Sequence, residues 1–104
     1  MAYYTAYSLA VTGDQSLIET LRKENVSAAA AIYNSGETRT ATKWYDWEPD
    51  MQAFSLKHPD SLFVLEGRGE LSTDLWRCYF KGGKKQHELA CVSFAEFDAT
   101  KLVV

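Results

Sequence analysis

Asp74-Leu75-Trp76-Arg77-Cys78-Tyr79-Phe80-Lys81-Gly82-Gly83-Lys84-Lys85-Gln86-His87 is the stretch that decides the fold. Successive side chains of a strand point to opposite faces. Residues 74–81 therefore set Trp76, Cys78 and Phe80 on one side and Leu75, Arg77 and Tyr79 on the other. Gly82-Gly83 supplies the positive φ angles that a two-residue hairpin needs, and residues 86–94 return as the partner strand. A hairpin with one apolar face calls for an antiparallel sheet with its core on that side.

Working outward, residues 61–67 read as the preceding strand, and Gly67-Arg68-Gly69-Glu70 loosens the chain after it. Before it lies a helix that begins near Asp46 or Glu48. Pro49 suits its first turn, acids crowd its start, and Pro59 stops it. Trp47, Met51, Phe54 and His58 fall on one face of that helix. At the other end of the sequence, residues 3–11 form a first strand with Tyr7, Leu9 and Val11 on one side. Thr12-Gly13 ends it. Asp14 stands where it can cap a helix running to about Asn25, with Leu17, Ile18 and Leu21 as its apolar stripe. Residues 26–33 are compatible with helix on alanine propensity. Ile32-Tyr33 before Asn34-Ser35-Gly36-Glu37 favours instead a strand and turn, with residues 38–45 as partner strand. Residues 98–104 read as a tail docked by Leu102 and Val103.

The resulting order, β-α-β-β-α-β-β-β, makes an α+β fold: an antiparallel sheet with two helices packed on one face, a ferredoxin-like core plus a C-terminal hairpin. At 104 residues, with 46% hydrophobic and 24% charged residues, the chain has room for one domain, residues 1–104, and for a genuine core. Met1-Ala-Tyr-Tyr-Thr lacks the features of a secretory signal, and no apolar run is long enough to span a bilayer. Cytoplasmic localisation with no membrane partner is the expectation. Cys78 and Cys91 sit in apolar strand-like runs and are expected as buried free thiols.

Candidate chemistry is sparse. His58, His87, Cys78 and Cys91 lack the short pair spacings of a zinc site, so no metal is expected. Ser93 and Cys91 lie in a strand without a nucleophile elbow. Arg77 and Cys78 are strand neighbours on opposite faces, so the guanidinium does not activate the thiol. Glu66 and Glu70 read as rim acids. Gly67-x-Gly69 and Gly82-Gly83 open no helix that could cradle a phosphate. The expectation is a protein that is not an enzyme and carries no cofactor.

Two constellations rise above this background. Lys43-Trp44-Tyr45-Asp46-Trp47-Glu48 places three large rings in four positions, and they cannot all enter one core face. They either pin helix to sheet as a satellite cluster or anchor a partner, because Trp and Tyr dominate interface hot spots. Between Asp46 and Asp74 seven acids stand against two bases, so Trp44, Tyr45, Asp46, Trp47, Glu48 and Asp50 are the candidate partner-binding set. The second constellation, Arg77, Tyr79, Lys81, Lys84 and Lys85, joins basic groups to an aromatic ring and is the candidate nucleic-acid surface.

The stretch Lys43-Trp-Tyr-Asp-Trp-Glu…Met51…Phe54-Ser55…Pro59-Asp60-x-Leu62-Phe63-x-Leu65-x-Gly67-x-Gly69-Glu70, followed by Asp74-Leu-Trp-Arg-x-Tyr-Phe-Lys and Phe94-x-x-Phe97-Asp98, resembles small, mostly uncharacterised proteins of phages, prophages and mobile elements. Some of these are grouped with ferredoxin-fold phage domains. The resemblance spans roughly residues 40–104 and brings no catalytic residues with it. It implies a protein that binds and blocks a host factor, a protein or ribonucleoprotein such as a CRISPR effector, as monomer or homodimer. A nucleic-acid-binding domain using the 77–85 hairpin and a module that sequesters a small ligand or nucleotide are the alternatives.

Overall fold

The computed structural model describes residues 3–104. Strands β1 (Ala6–Thr12), β2 (Leu62–Arg68), β3 (Leu75–Lys81) and β4 (Lys84–Leu89) form one antiparallel sheet in the order β1-β2-β3-β4. Helices α1 (Leu17–Glu24), α2 (Val26–Ala31) and α3 (Trp47–Lys57) all lie in the connection between β1 and β2. A single 3-10 turn, Ala99–Lys101, follows the sheet.

The α+β class and the antiparallel sheet are as expected, but the ferredoxin-like arrangement is not adopted. That core interleaves strand pairs and helices. Here the strand pair expected from residues 26–33 and 38–45 shrinks to one bridge between Ile32 and Thr38. Residues 26–31 are helix because the Asn25 side chain accepts the Ala28 N–H at 3.0 Å, capping a run of alanines with the highest helix propensity. The turn after it forms at Asn34-Ser35-Gly36, closed by the Gly36 N–H donating to the Tyr33 carbonyl at 2.9 Å.

One face of every inner strand is buried. The register stacks Tyr7, Gly67 and Trp76 in one row, Leu9, Leu65 and Cys78 in the next, and Val11, Phe63 and Phe80 in the third. Leu17, Ile18 and Leu21 of α1, Ala28 and Ala31 of α2, and Met51 and Phe54 of α3 close over these rows in a single apolar cluster. Among the described residues the opposite face of the sheet carries no helix.

The sheet ends earlier than expected. β4 stops at Leu89, not at residue 94, because β3 begins at Leu75 and the chain before it turns away. The last rung is the Ala90 N–H donating to the Leu75 carbonyl at 2.9 Å. Beyond it β4 has no neighbour to pair with. Leu102 and Val103 are consequently exposed rather than docked. Cys91 is exposed while Cys78 is buried, and both are free.

Gly67 is required by close packing rather than by an unusual backbone angle. The Trp76 indole lies across it to reach Tyr7, and a Cβ at this position would overlap the ring. Gly67→Val therefore displaces Trp76. We expect it to lower the unfolding free energy by about 1–3 kcal/mol, the usual cost of overpacking a core, measured by urea titration followed by tryptophan fluorescence.

Candidate functional site

The 44–50 segment is mostly internal structure. Trp44 is 1% exposed. Its indole N–H donates to Asp50 Oδ2 at 2.8 Å, and the Asn25 amide donates to the same oxygen at 2.9 Å. The Tyr7 hydroxyl donates to the Trp44 carbonyl at 3.0 Å. Trp47 is half-buried and stacks on Trp76, with ring centroids 4.2 Å apart and planes 18° from parallel. Glu48 accepts from Lys85 at 2.6 Å. Of the six candidate residues, only Tyr45 and Asp46 are exposed, with Tyr45 at 69%. Three adjacent rings are thus divided between two core positions and one at the surface. The core positions follow because Trp44 precedes α3 and turns under it, whereas Trp47 opens the helix over β3.

The basic set is divided by the pleat and by ion pairing. Arg77 lies on the open sheet face, where it donates to Glu66 through Nε at 2.8 Å and through a second guanidinium nitrogen. It also meets the Tyr79 hydroxyl at 3.4 Å. The Tyr79 hydrogen bond and the Glu66 carboxylate raise the guanidinium pKa further. Lys85 points to the helix side and is engaged by Glu48. Among the described residues Lys81 and Lys84 form no ion pair. The open face is creased by two shallow troughs of about 450 and 390 Å³, which share Glu66, Arg77 and Tyr79 in their lining.

His87 lies edge-on to Trp47 and Trp76, at centroid distances of 5.6 and 5.5 Å. His58 ends α3, its N–H donating to the Phe54 carbonyl at 3.2 Å. Among the described residues no three His, Cys, Asp or Glu side chains come together where they could hold a metal ion. Burial pushes the Cys78 thiol up to about 11, which suppresses the nucleophilic thiolate.

Most of the highly exposed apolar groups follow Ala90, where the sequence suggests a strand to residue 94 and a docked tail from residue 98. Past Ala90 the chain is an arm that carries Val92, Phe94, Phe97, Leu102 and Val103, with Phe94 at 92% and Phe97 at 79% exposure. Within it Asp98 accepts from the Thr100 N–H at 3.0 Å and from the Thr100 hydroxyl at 2.7 Å, fixing the 3-10 turn. The same two bonds hold the Asp98 carboxyl below its ordinary range. The radius of gyration, 16.7 Å, exceeds the roughly 13 Å of a close-packed chain of this size, as a projecting arm requires. The signal in the sequence was the apolar surplus after residue 90, for which no further element was available as a partner. No helix among the described residues is long and apolar enough to cross a membrane.

No family model matches the chain, and neither a curated protein nor a solved structure matches it.

Two measurements check this division of roles. Asp50→Leu removes the acceptor of the buried Trp44 N–H and should cost about 1–3 kcal/mol of stability, whereas Tyr45→Ala should stay within about 0.5 kcal/mol. Thermal and urea unfolding of the two variants provide the comparison. In thiol titration at neutral pH, the folded protein should react at Cys91 alone, with Cys78 released only by denaturant.

Proposed function

We propose that this chain is a non-enzymatic binding protein that covers a surface of a host protein or ribonucleoprotein. This is the role implied by its resemblance to small phage and mobile-element proteins, CRISPR effectors being one class of such targets. The observation that carries the reading is the 90–104 arm. Large apolar side chains held in water cost free energy that a partner recovers by burying them, and aromatic anchors concentrate binding energy. Several large apolar side chains exposed within one short segment are what an interaction site would offer. Tyr45 and Asp46 add an exposed ring and an acid from the 44–50 segment, and the acids of residues 46–74 would steer association with a basic partner.

The nucleic-acid reading is less well supported. Its surface needs free positive charge, yet Arg77 and Lys85 are each engaged by a carboxylate. The arm cannot replace them, because Lys101 is its one base against Glu96 and Asp98. The troughs of the open face are too shallow to enclose a small ligand, as a sequestering module would have to.

The test compares wild-type protein with a Phe94→Ser/Phe97→Ser variant in a pull-down from bacterial host lysate, with circular dichroism confirming that both fold. A partner retained by wild type and bound at least about tenfold more weakly by the variant is the expected result. Equal retention by the two proteins would remove the arm from the interface. Loss of binding on Lys81→Glu substitution, together with a steep salt dependence, would transfer the function to the nucleic-acid reading.

A further inference from the structure

The two edges of the sheet are treated differently by the chain itself. Along β1 and the residue before it, several outward backbone groups are covered. Thr5 and Thr42 exchange N–H···O bonds of 2.8 and 2.9 Å, the Leu9 N–H donates to the Gly36 carbonyl at 2.8 Å, and the Thr38 hydroxyl donates to the Tyr7 carbonyl at 2.7 Å. The Gln15 side chain donates to the carbonyl of Val11. On β4 nothing equivalent occurs. Pairing with β3 starts at Lys81 and Lys84 across the glycine turn and ends with the Ala90 N–H on the Leu75 carbonyl. The even-numbered residues from 84 to 90 therefore bond inward, and Lys85, His87 and Leu89 direct their N–H and C=O groups outward. Those groups have no partner among the described residues. Every residue of β4 is exposed, and an open edge of this kind is a template for a further strand.

The occupant is identified by the pattern of β4 itself. In an antiparallel pair, residues that bond outward must face residues that do the same. Two copies of β4 can therefore meet only in registers whose paired residue numbers have an even sum. One of these places Gln86 opposite Gln86 of the second copy. It also sets Lys84 opposite Glu88 of the second copy, and Glu88 opposite its Lys84, at positions where facing side chains are closest. Neither Lys84 nor Glu88 has an ion-pair partner within its own chain among the described residues. Shifting the pairing by one allowed step towards residue 89 loses both charge pairs, and a second step sets Glu88 against Glu88. The allowed step towards residue 84 sets Lys85 against Lys85.

The favoured register also accounts for two exposed leucines. Leu89, 75% exposed, comes opposite Gly83 of the second copy. Leu56 of α3 already packs over Gly83 and is itself 65% exposed. Each leucine would cover the other, twice over by symmetry. Because α3 lies above β3 and β4, the two copies of α3 would run side by side at about 10 Å, the spacing at which helices pack.

We propose that the open edge of β4 pairs with β4 of a second copy of this chain, antiparallel about a two-fold axis at Gln86, with Lys84 facing Glu88 across the junction. The Lys85 and His87 backbones would exchange four hydrogen bonds between the copies. Lys85, whose charge would otherwise lie near its counterpart, is neutralised by Glu48 of its own chain.

Charge reversal tests this in the full chain. Sedimentation equilibrium over a concentration series should give twice the monomer mass for wild type. Lys84→Glu and Glu88→Lys should each weaken dimerisation by at least about tenfold, since two attractive cross-strand pairs become repulsive. Mixing the two variants in equal amounts restores both pairs and should restore the dimer, which also shows that each variant is folded. In a Cys91→Ser background, Gln86→Cys should form a disulfide between copies on mild oxidation. A wild-type chain of monomer mass throughout the series overturns the proposal. So does a dimer that tolerates either single reversal, or a mixture that stays monomeric.

Discussion

The side chain on which most of the structure depends is the Trp44 indole. Burying a ring of this size contributes several kcal/mol only if its N–H finds an acceptor, because an unpaired donor in the interior costs roughly as much as a hydrogen bond returns. Asp50 supplies that acceptor and takes a second bond from Asn25 on the same oxygen. Asn25 in turn caps α2 through its other side-chain atom. One carboxylate thus joins the start of α3, the α1–α2 junction and the loop before α3. Tyr7 ties the same loop to the sheet through the Trp44 carbonyl. Removing any one of these groups strands the others.

Above this tie the aromatic rings form a continuous layer. Trp44 meets Tyr7 edge-on at 5.4 Å, Tyr7 meets Trp76 at 6.1 Å, and Trp76 stacks on Trp47. Gly67 exists to let that layer cross β2. The aromatic surplus of the composition is therefore mainly structural around α3, with Tyr45 left at the surface, whereas the most exposed rings, Phe94 and Phe97, lie on the arm. Core and contact surface draw on the same residue types from different parts of the chain.

Where the local pattern determined the outcome, the sequence was readable. The alternation of residues 74–81, the Gly82-Gly83 turn, the Leu17-Ile18-Leu21 stripe and the Pro49 and Pro59 limits of α3 each specify their element without reference to distant residues. The reading failed where the outcome depended on what lay opposite. Residues 26–33 are β-compatible at Ile32-Tyr33, yet an Asn cap and four alanines carried them into helix. With that middle strand pair gone, no ferredoxin-like core could form. The strand expected to reach residue 94, the buried Cys91 and the tail docked by Leu102 and Val103 all require a neighbour, and β3 begins too late to offer one. The candidate site fared similarly: which of Trp44, Tyr45 and Trp47 reached water depended on Asp50, Asn25 and Trp76, at separations that a periodicity cannot register.

The covering of β1 by residues 36–42 has a consequence for how far this sheet can grow. A strand-edged protein with two bare sides can add neighbours indefinitely, which is the route to fibres. Here the chain's own loop occupies part of one side, so β4 is the more open of the two edges to lateral growth. A two-fold union at that side would use up the more open edge of both participants, which favours a finite assembly. The loop between α2 and α3 thereby acts as a partial terminator, biasing towards a small size a molecule whose other border is left open to pairing.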